Sequence, residues 1–277
     1  MNPGSTARAT VRRVRGATAE DADDVLAAEE PLEIRVVESG GRERSLAVTM
    51  RTPGHDLELA AGFLVTEGIL AARRDLERIE AAKPRTAEEE GNVVRAILSD
   101  GAEADLTRTQ RSFYTTSSCG VCGKTSLNAI WNRAPPPIPP NAPRVNSGIL
   151  AGLPDALRRE QAVFERTGGL HACALFRADG TLVTLREDVG RHNAVDKVVG
   201  ERFLAGALPL GDGLLLVSGR ASFEIVQKAV MAGVPFVAAV GAPSSLAVDA
   251  AKEFGMTLVG FLRGDSYNVY AGEQRIA

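Results

Sequence analysis

The chain has 277 residues, 44% hydrophobic and 24% charged, with a net charge of −3. That length accommodates one large domain or two modest ones with a real core. The mild negative charge excludes a broad nucleic-acid face, which requires a basic surface.

No apolar run reaches the ~20 residues of a membrane span. Arg8, Arg12, Arg13 and Arg15 precede no apolar stretch of the kind a secretory signal carries. A cytoplasmic protein without membrane contact is expected. The start of the chain reads as a flexible tail or a first edge strand. Leu32, Ile34 and Val36, then Leu46, Val48 and Met50, fall two apart around the turn Glu38-Ser39-Gly40-Gly41, which predicts a β-hairpin. Thr52-Pro53-Gly54-His55-Asp56 is a turn that can open a helix. Leu57, Leu59, Ala60, Phe63, Leu64 and Val65 follow at helical spacing. Residues 92–99 read as a strand. Residues 1–108 are thus expected to form a small α+β domain with a flexible N-terminal tail.

Residues 111–126 are polar and glycine-rich, and Leu127, Ile130 and Trp131 suggest a short helix after them. Six prolines in 135–143 predict a stiff, extended connector. Beyond it a helix is predicted over 151–166. Strands then alternate with helices: strand 181–186, helix 193–205, strand 213–217, helix 223–231, strand 234–240, helix 244–254 and strand 256–262. Short apolar strands separated by helices predict a largely parallel sheet covered by helices. This second domain, 109–277, makes the whole an α/β protein.

The chain has three cysteines, Cys119, Cys122 and Cys173. So few, without a signal peptide, do not suggest a disulfide framework. Cys119-Gly120-Val121-Cys122 lies ahead of Lys124 and a predicted helix start, a setting that favours the reactive thiolate. Gly120 and Gly123 leave the loop free to present sulfur outward. Three other readings stand beside sulfur-carrier chemistry: a dithiol redox pair, half a zinc site lacking its second pair, and coincidence.

Of the three histidines, His55 reads as a group capping or packing at a turn. His171 lies in Thr-Gly-Gly-Leu-His-Ala-Cys. His192 sits between Arg191 and Asn193 where a strand hands over to a helix, a setting that suits an anion. Ser218-Gly219-Arg220-Ala221-Ser222 follows an apolar strand and precedes a helix, where phosphate can bind; Gly241-Ala242-Pro243-Ser244-Ser245 repeats the theme more weakly. Phe261-Leu262-Arg263-Gly264-Asp265-Ser266 follows the last predicted strand. Arg263 there suits phosphate, and Asp265 suits the N–H edge of guanine. If the last three turns follow parallel strands, they converge at the strands' carboxyl ends.

The stretch Asp56-Leu57-Glu58-Leu59-Ala60-Ala61-Gly62-Phe63-Leu64-Val65-Thr66-Glu67-Gly68-Ile69 resembles the FdhD-type formate dehydrogenase accessory proteins, from which the Arg263-Gly264-Asp265 turn differs somewhat. The further matches are Cys119-Gly120-Val121-Cys122-Gly123, residues 187–197 and residues 218–228. The resemblance runs from about residue 30 to the C-terminus. It implies a sulfur carrier, a sulfurtransferase that takes sulfur from a cysteine desulfurase and passes it to the molybdenum bis(guanine dinucleotide) cofactor of formate dehydrogenase. By position, Cys119 would be the persulfide cysteine, Cys122 its assisting or resolving partner, and residues 261–266 the stretch that binds the cofactor. Arg191, Arg220 and Arg263 are candidates to neutralise its pyrophosphates, with His192 and Lys228 as weaker ones. The implied partners are the desulfurase, the dehydrogenase catalytic subunit and a second copy of this chain.

The resemblance also implies a three-layer main domain like that of cytidine deaminases, without zinc. A zinc deaminase needs His-x-Glu followed by Pro-Cys-x-x-Cys. Here Cys-x-x-Cys comes first, and His171-Ala172 leads to Cys173. Cys173, where alanine is common in the family, reads as a small buried residue. A dithiol–disulfide oxidoreductase and a non-catalytic cofactor chaperone are the alternative functions.

Overall fold

The structure is a computed structural model, and it describes residues 4–102, 104, 127–128, 130–140 and 142–277. Of the two readings of the first residues, a tail or a first strand, residues 6–15 follow the strand. β1 (Thr6–Arg15) and β2 (Thr18–Ala27) form an antiparallel hairpin in which Arg12 faces Asp21 and Arg13 faces Glu20. The strands pair a basic run with an acidic one, so cross-strand charge complementarity replaces apolar alternation.

β3 (Glu30–Val37) and β4 (Glu43–Arg51) form the expected hairpin. β5 (Leu76–Ala81) and β6 (Val93–Leu98) complete a four-stranded sheet of order β4-β3-β6-β5, with β3 parallel to β6. Helix α1 (Asp56–Thr66) packs on it, and Leu32, Ile34 and Val36 share one core with Leu59, Phe63 and Leu64. The turn before α1 places His55 at its N-cap with φ 59°, and His55 Nδ1 meets Glu58 Oε2 at 3.1 Å.

The predicted helix over 151–166 is two helices, α2 (Ser147–Glu160) and α3 (Ala162–Thr167). Gln161 leaves the helical region between them (ψ 69°). The Glu187 carboxylate accepts from Val163 N and Phe164 N at 2.9 and 2.8 Å, which satisfies the start of α3.

The second sheet has six strands in the order β12-β11-β10-β9-β7-β8. These are β7 (His171–Phe176), β8 (Leu182–Asp188), β9 (Leu214–Val217), β10 (Phe236–Ala239), β11 (Thr257–Arg263) and β12 (Ser266–Ala271). The sheet is mixed rather than largely parallel: β9, β10 and β11 run parallel, while β7 is antiparallel to both neighbours and β12 to β11. Two strands unrecognised in the sequence, β7 and β12, make the difference.

Residues alternate between the faces of this sheet. Ala172, Ala174, Phe176, Leu216 and Ala238 pack with Leu150, Leu153 and Leu157 of α2. Cys173, Leu175, Leu215, Val217 and Val237 face α4 (Arg191–Leu204), α5 (Phe223–Met231) and α6 (Ser245–Glu253). That second core continues through α1 to the four-stranded sheet. Where α1 crosses α4, both helices present glycine. A Cβ on Gly62 would lie 1.8 Å from the carbonyl oxygen of Asp196, and one on Gly200 would lie 1.8 Å from that of Glu58. Among the described residues, no helix is long and apolar enough to cross a membrane.

Candidate functional site

β8, β9, β10 and β11 all end at one edge of the six-stranded sheet, and β7 begins there. The turn after β9 and the turn after β10 are joined by backbone hydrogen bonds. Gly241 N donates to Gly219 O (2.9 Å), Ala221 N to Ala242 O (3.2 Å) and Ser244 N to Ala221 O (3.0 Å). Phe261 N then donates to Gly241 O at 3.1 Å, which ties in β11. The convergence expected of the three turns is therefore present. Glycine is required at the closest approach: a Cβ on Gly241 would sit 2.9 Å from Gly219 O.

His171, at the start of β7, closes this edge. Ser218 N donates to Ala172 O, and Ala172 N donates to Ser218 Oγ, both at 2.9 Å. The Ser218 hydroxyl thus positions β7 as an acceptor. The His171 ring lies against Gly219, where a Cβ would come within 3.3 Å of Nδ1. Burial, then the neighbouring Arg191 cation, lower the His171 pKa.

Arg191 and His192 occupy the first turn of α4. His192 Nε2 lies 3.3 Å from Ser222 Oγ, so the two motifs meet. Burial, reinforced by Arg191 and Lys228, lowers the His192 pKa to about 4 and keeps the ring neutral near pH 7. Arg191 Nε is shielded from solvent and has no hydrogen-bond partner among the described residues. A cation at a helix N-terminus opposes the helix dipole, and the first turn of α4 carries no acidic residue. An anion at this point would relieve both groups. Arg220 and Arg263 are exposed on the same edge.

Other residues of these motifs hold the fold. The fully buried Asp188 meets Lys197 Nζ at 2.7 Å and accepts from Thr52 N, Gly190 N and Asn193 Nδ2. Lys228 was a candidate for pyrophosphate, but it is buried and committed. Its Nζ contacts Asp196 and Glu67, each at 3.0 Å, and Thr66 Oγ1 at 2.9 Å. Burial pulls this ammonium toward neutrality, but Asp196 and Glu67 outweigh it and hold its pKa above the usual lysine value. Burial pushes the Asp196 carboxyl up to about 6 against the pull of Lys228.

Residues 261–266 differ from the expected turn. β11 continues to Arg263, which pairs with Ser266, so Gly264 and Asp265 form the tip of a β-hairpin. Leu262 is fully buried in the core beside α2, which leaves only its backbone for a ligand. Phe261 is exposed and adopts φ 55°, a left-handed conformation that bulky residues rarely take. Gly264, Asp265 and Ser266 are exposed.

A cleft of about 640 Å³ opens beside this edge, between the sheet and α2–α3. Asp155, Arg158, Gln161, Phe164, His171 and Ser218 are among its lining residues. The sequence reading missed this wall, because 151–166 was predicted as one unbroken helix and β7 was not recognised. The run Leu170-His171-Ala172-Cys173-Ala174-Leu175-Phe176, apolar but for one histidine, was the available signal.

The family model described as FdhD/NarQ family matches residues 27–277. The chain belongs to that family.

FdhD/NarQ relatives match nearly end to end. A protein of Streptomyces coelicolor named sulfur carrier protein FdhD is 56% identical over 275 residues, covering 98% of this chain and 96% of its own. One of Mycobacterium tuberculosis with the same name is 51% identical, covering 96% and 97%. The crystal structure of a Desulfotalea psychrophila protein, assigned as a formate dehydrogenase accessory protein, superposes with a TM-score of 0.76 and 22% identity. It covers 98% of this chain and 99% of that one. At that identity the likeness concerns the fold. In this FdhD/NarQ chain Cys119 and Cys122 lie outside the described residues. Cys173 is fully buried, and burial, with Asp196 nearby, pushes its thiol pKa well above the usual value.

Proposed function

We propose that the protein is a sulfur carrier with sulfurtransferase activity. It accepts sulfur from a cysteine desulfurase as a Cys119 persulfide and delivers it to the molybdenum bis(guanine dinucleotide) cofactor that activates formate dehydrogenase. The fate of the three cysteines carries this reading. Cys173 is sealed in the core and its thiol is held protonated, so it is neither reachable nor nucleophilic. Sulfur chemistry of the kind named for the relatives then falls to Cys119 and Cys122.

The chemistry balances on that pair. The Cys119 thiolate attacks the terminal sulfur of the donor persulfide; the donor S–S bond breaks and the donor cysteine leaves as a thiolate. Attack by the Cys122 thiolate on Cys119 sulfur then expels the terminal sulfur as hydrosulfide and leaves a Cys119–Cys122 disulfide. The thiol pair supplies the two electrons, and a dithiol reductant restores it. The cofactor, as substrate, takes the sulfide as a metal ligand.

The sheet edge supports binding of such a substrate. Arg191, Arg220 and Arg263 supply cations for its pyrophosphates. Ser218, the Gly219 backbone and His192 supply polar groups. Phe261, the Leu262 backbone, Gly264, Asp265 and Ser266 flank the edge as a hairpin. We further propose a homodimer that works in the cytoplasm with the desulfurase and the dehydrogenase catalytic subunit. After incubation with desulfurase and cysteine, mass spectrometry should find one added sulfur on the Cys119 peptide. An unmodified peptide, with the thiols still reactive, would sink the proposal. Dehydrogenase activation by Cys119→Ala at wild-type level would point instead to a cofactor chaperone.

A further inference from the structure

α4 and α5 start at the sheet edge, and their far ends, with that of α1, enclose a second cavity that the proposed sulfur transfer leaves unused. All three helices finish there on a glycine in the left-handed region: Gly68 (φ 71°), Gly206 (φ 69°) and Gly233 (φ 72°). Gly68 N donates to Val65 O, Gly206 N to Phe203 O and Gly233 N to Val230 O, each at 2.9 Å. These turns tie up carbonyls that a helix end would otherwise offer to a ligand. What remains is apolar. Val65, Leu70, Phe203 and Met231, all buried, form much of the wall, with the partly buried Leu208 beside them. The volume, about 400 Å³, lies within the range of small-ligand pockets. Among the described residues no carboxylate lines the cavity, and its charged wall residues are Arg133 and Arg73. Arg133 is committed to Glu67, with Nη1 3.4 Å from Oε2. Arg73 is exposed at the mouth; it donates to Leu76 O and pairs with no carboxylate among the described residues.

We infer that this cavity binds a single-chain amphiphilic carboxylate of the fatty-acid type, its tail between the three helix ends and its head on Arg73. A pocket walled by aliphatic and aromatic side chains with one charged group at its mouth suits a ligand that is apolar along its length and charged at one end. The tail gains by leaving water in proportion to the apolar area it buries. The head gains a charge-assisted hydrogen bond from a guanidinium whose planar fork matches a carboxylate. A cationic head would meet Arg73 with like charge, and a neutral head would forgo the ion pair. The site stands apart from the sulfur-carrier reading: neither needs the other.

The test titrates the full chain by calorimetry with hexanoate, octanoate and decanoate, and with decanol and decyltrimethylammonium, each below its micellar concentration. Every added methylene should tighten the carboxylates about fourfold. Decanoate should bind about fivefold tighter than decanol, the size of an exposed ion pair, and decyltrimethylammonium should bind more weakly than either. Arg73→Ala should cost decanoate that fivefold and leave decanol unchanged. Ala71→Phe puts a ring at the mouth and should weaken decanoate and decanol alike. Ala71 and Arg73 are both exposed, so neither variant puts the fold at risk. Affinity that ignores chain length, equal binding of the three head groups, an Arg73→Ala chain that still prefers decanoate, or decanoate binding that survives Ala71→Phe overturns the inference.

Discussion

The motif residues in and just ahead of α4 and α5 divide into two populations, one at the start of each helix and one deeper in it. At the sheet edge, Arg220 is exposed and Arg191 Nε lacks a partner among the described residues. Deeper in the same helices, Lys197 and Lys228 are buried against Asp188, Asp196 and Glu67. All four are cations in stretches that match the family. The buried pair is tied to the four-stranded half as well: Lys197 Nζ donates to Thr52 O (2.9 Å) and Lys228 Nζ to Thr66 Oγ1. Depth along the helix, rather than residue type, separates the cations that brace the fold from those left open to a ligand.

That contrast breaks hardest at Lys228. Lys228→Met strands two carboxylates in the interior, and removing one partner of a buried pair costs about 3–5 kcal/mol. Urea unfolding should show a loss of that size; a midpoint unchanged from wild type would mean the network is hydrated and incidental.

His192 stands on the boundary, and pH probes it. Its pKa is about 4 in the fold against an ordinary value of 6.5. Between those values the unfolded chain binds a proton that the native chain does not. Its stabilising contribution is therefore complete above about pH 6.5, falls as the pH drops toward 4, and is flat below. The slope reaches up to about 1.4 kcal/mol per pH unit. Denaturation at pH 7 and pH 5 should show a smaller drop for His192→Gln than for wild type, and equal drops would remove His192 from the boundary.

The smallest effect on stability belongs to the open set. Arg220→Ala should shift unfolding by no more than about 0.5 kcal/mol, yet weaken binding of a guanine dinucleotide about tenfold through loss of a charge-assisted hydrogen bond. Undiminished binding would place the pyrophosphate elsewhere.

Much of the second sheet was legible, because β9, β10 and β11 are apolar runs set off by helices with ordinary periodicity. β7 escaped notice because His171-Ala172-Cys173-Ala174-Leu175-Phe176 has no alternation: both of its faces are buried. The N-terminal hairpin was only half legible, a tail or an edge strand, because its strands face each other with opposite charges rather than with apolar alternation. The convergence of turns at one edge was legible from strand order. The commitment of Lys228 was not, since its partners Glu67 and Asp196 lie 161 and 32 residues away in the chain. Gln161 was invisible for a similar reason: a polar residue inside a helical pattern gives no sign that the helix breaks there.

The glycine crossing of α1 and α4 has a consequence for how this molecule can move. Two peptide carbonyls fill the room a single methyl group would need, so the helices meet backbone to backbone, and no side chain there has a rotamer to give. Such a seam has no slack to slide or rock on. Whatever travel a sulfur atom needs must come from elsewhere in the chain, with these two halves serving as one anvil.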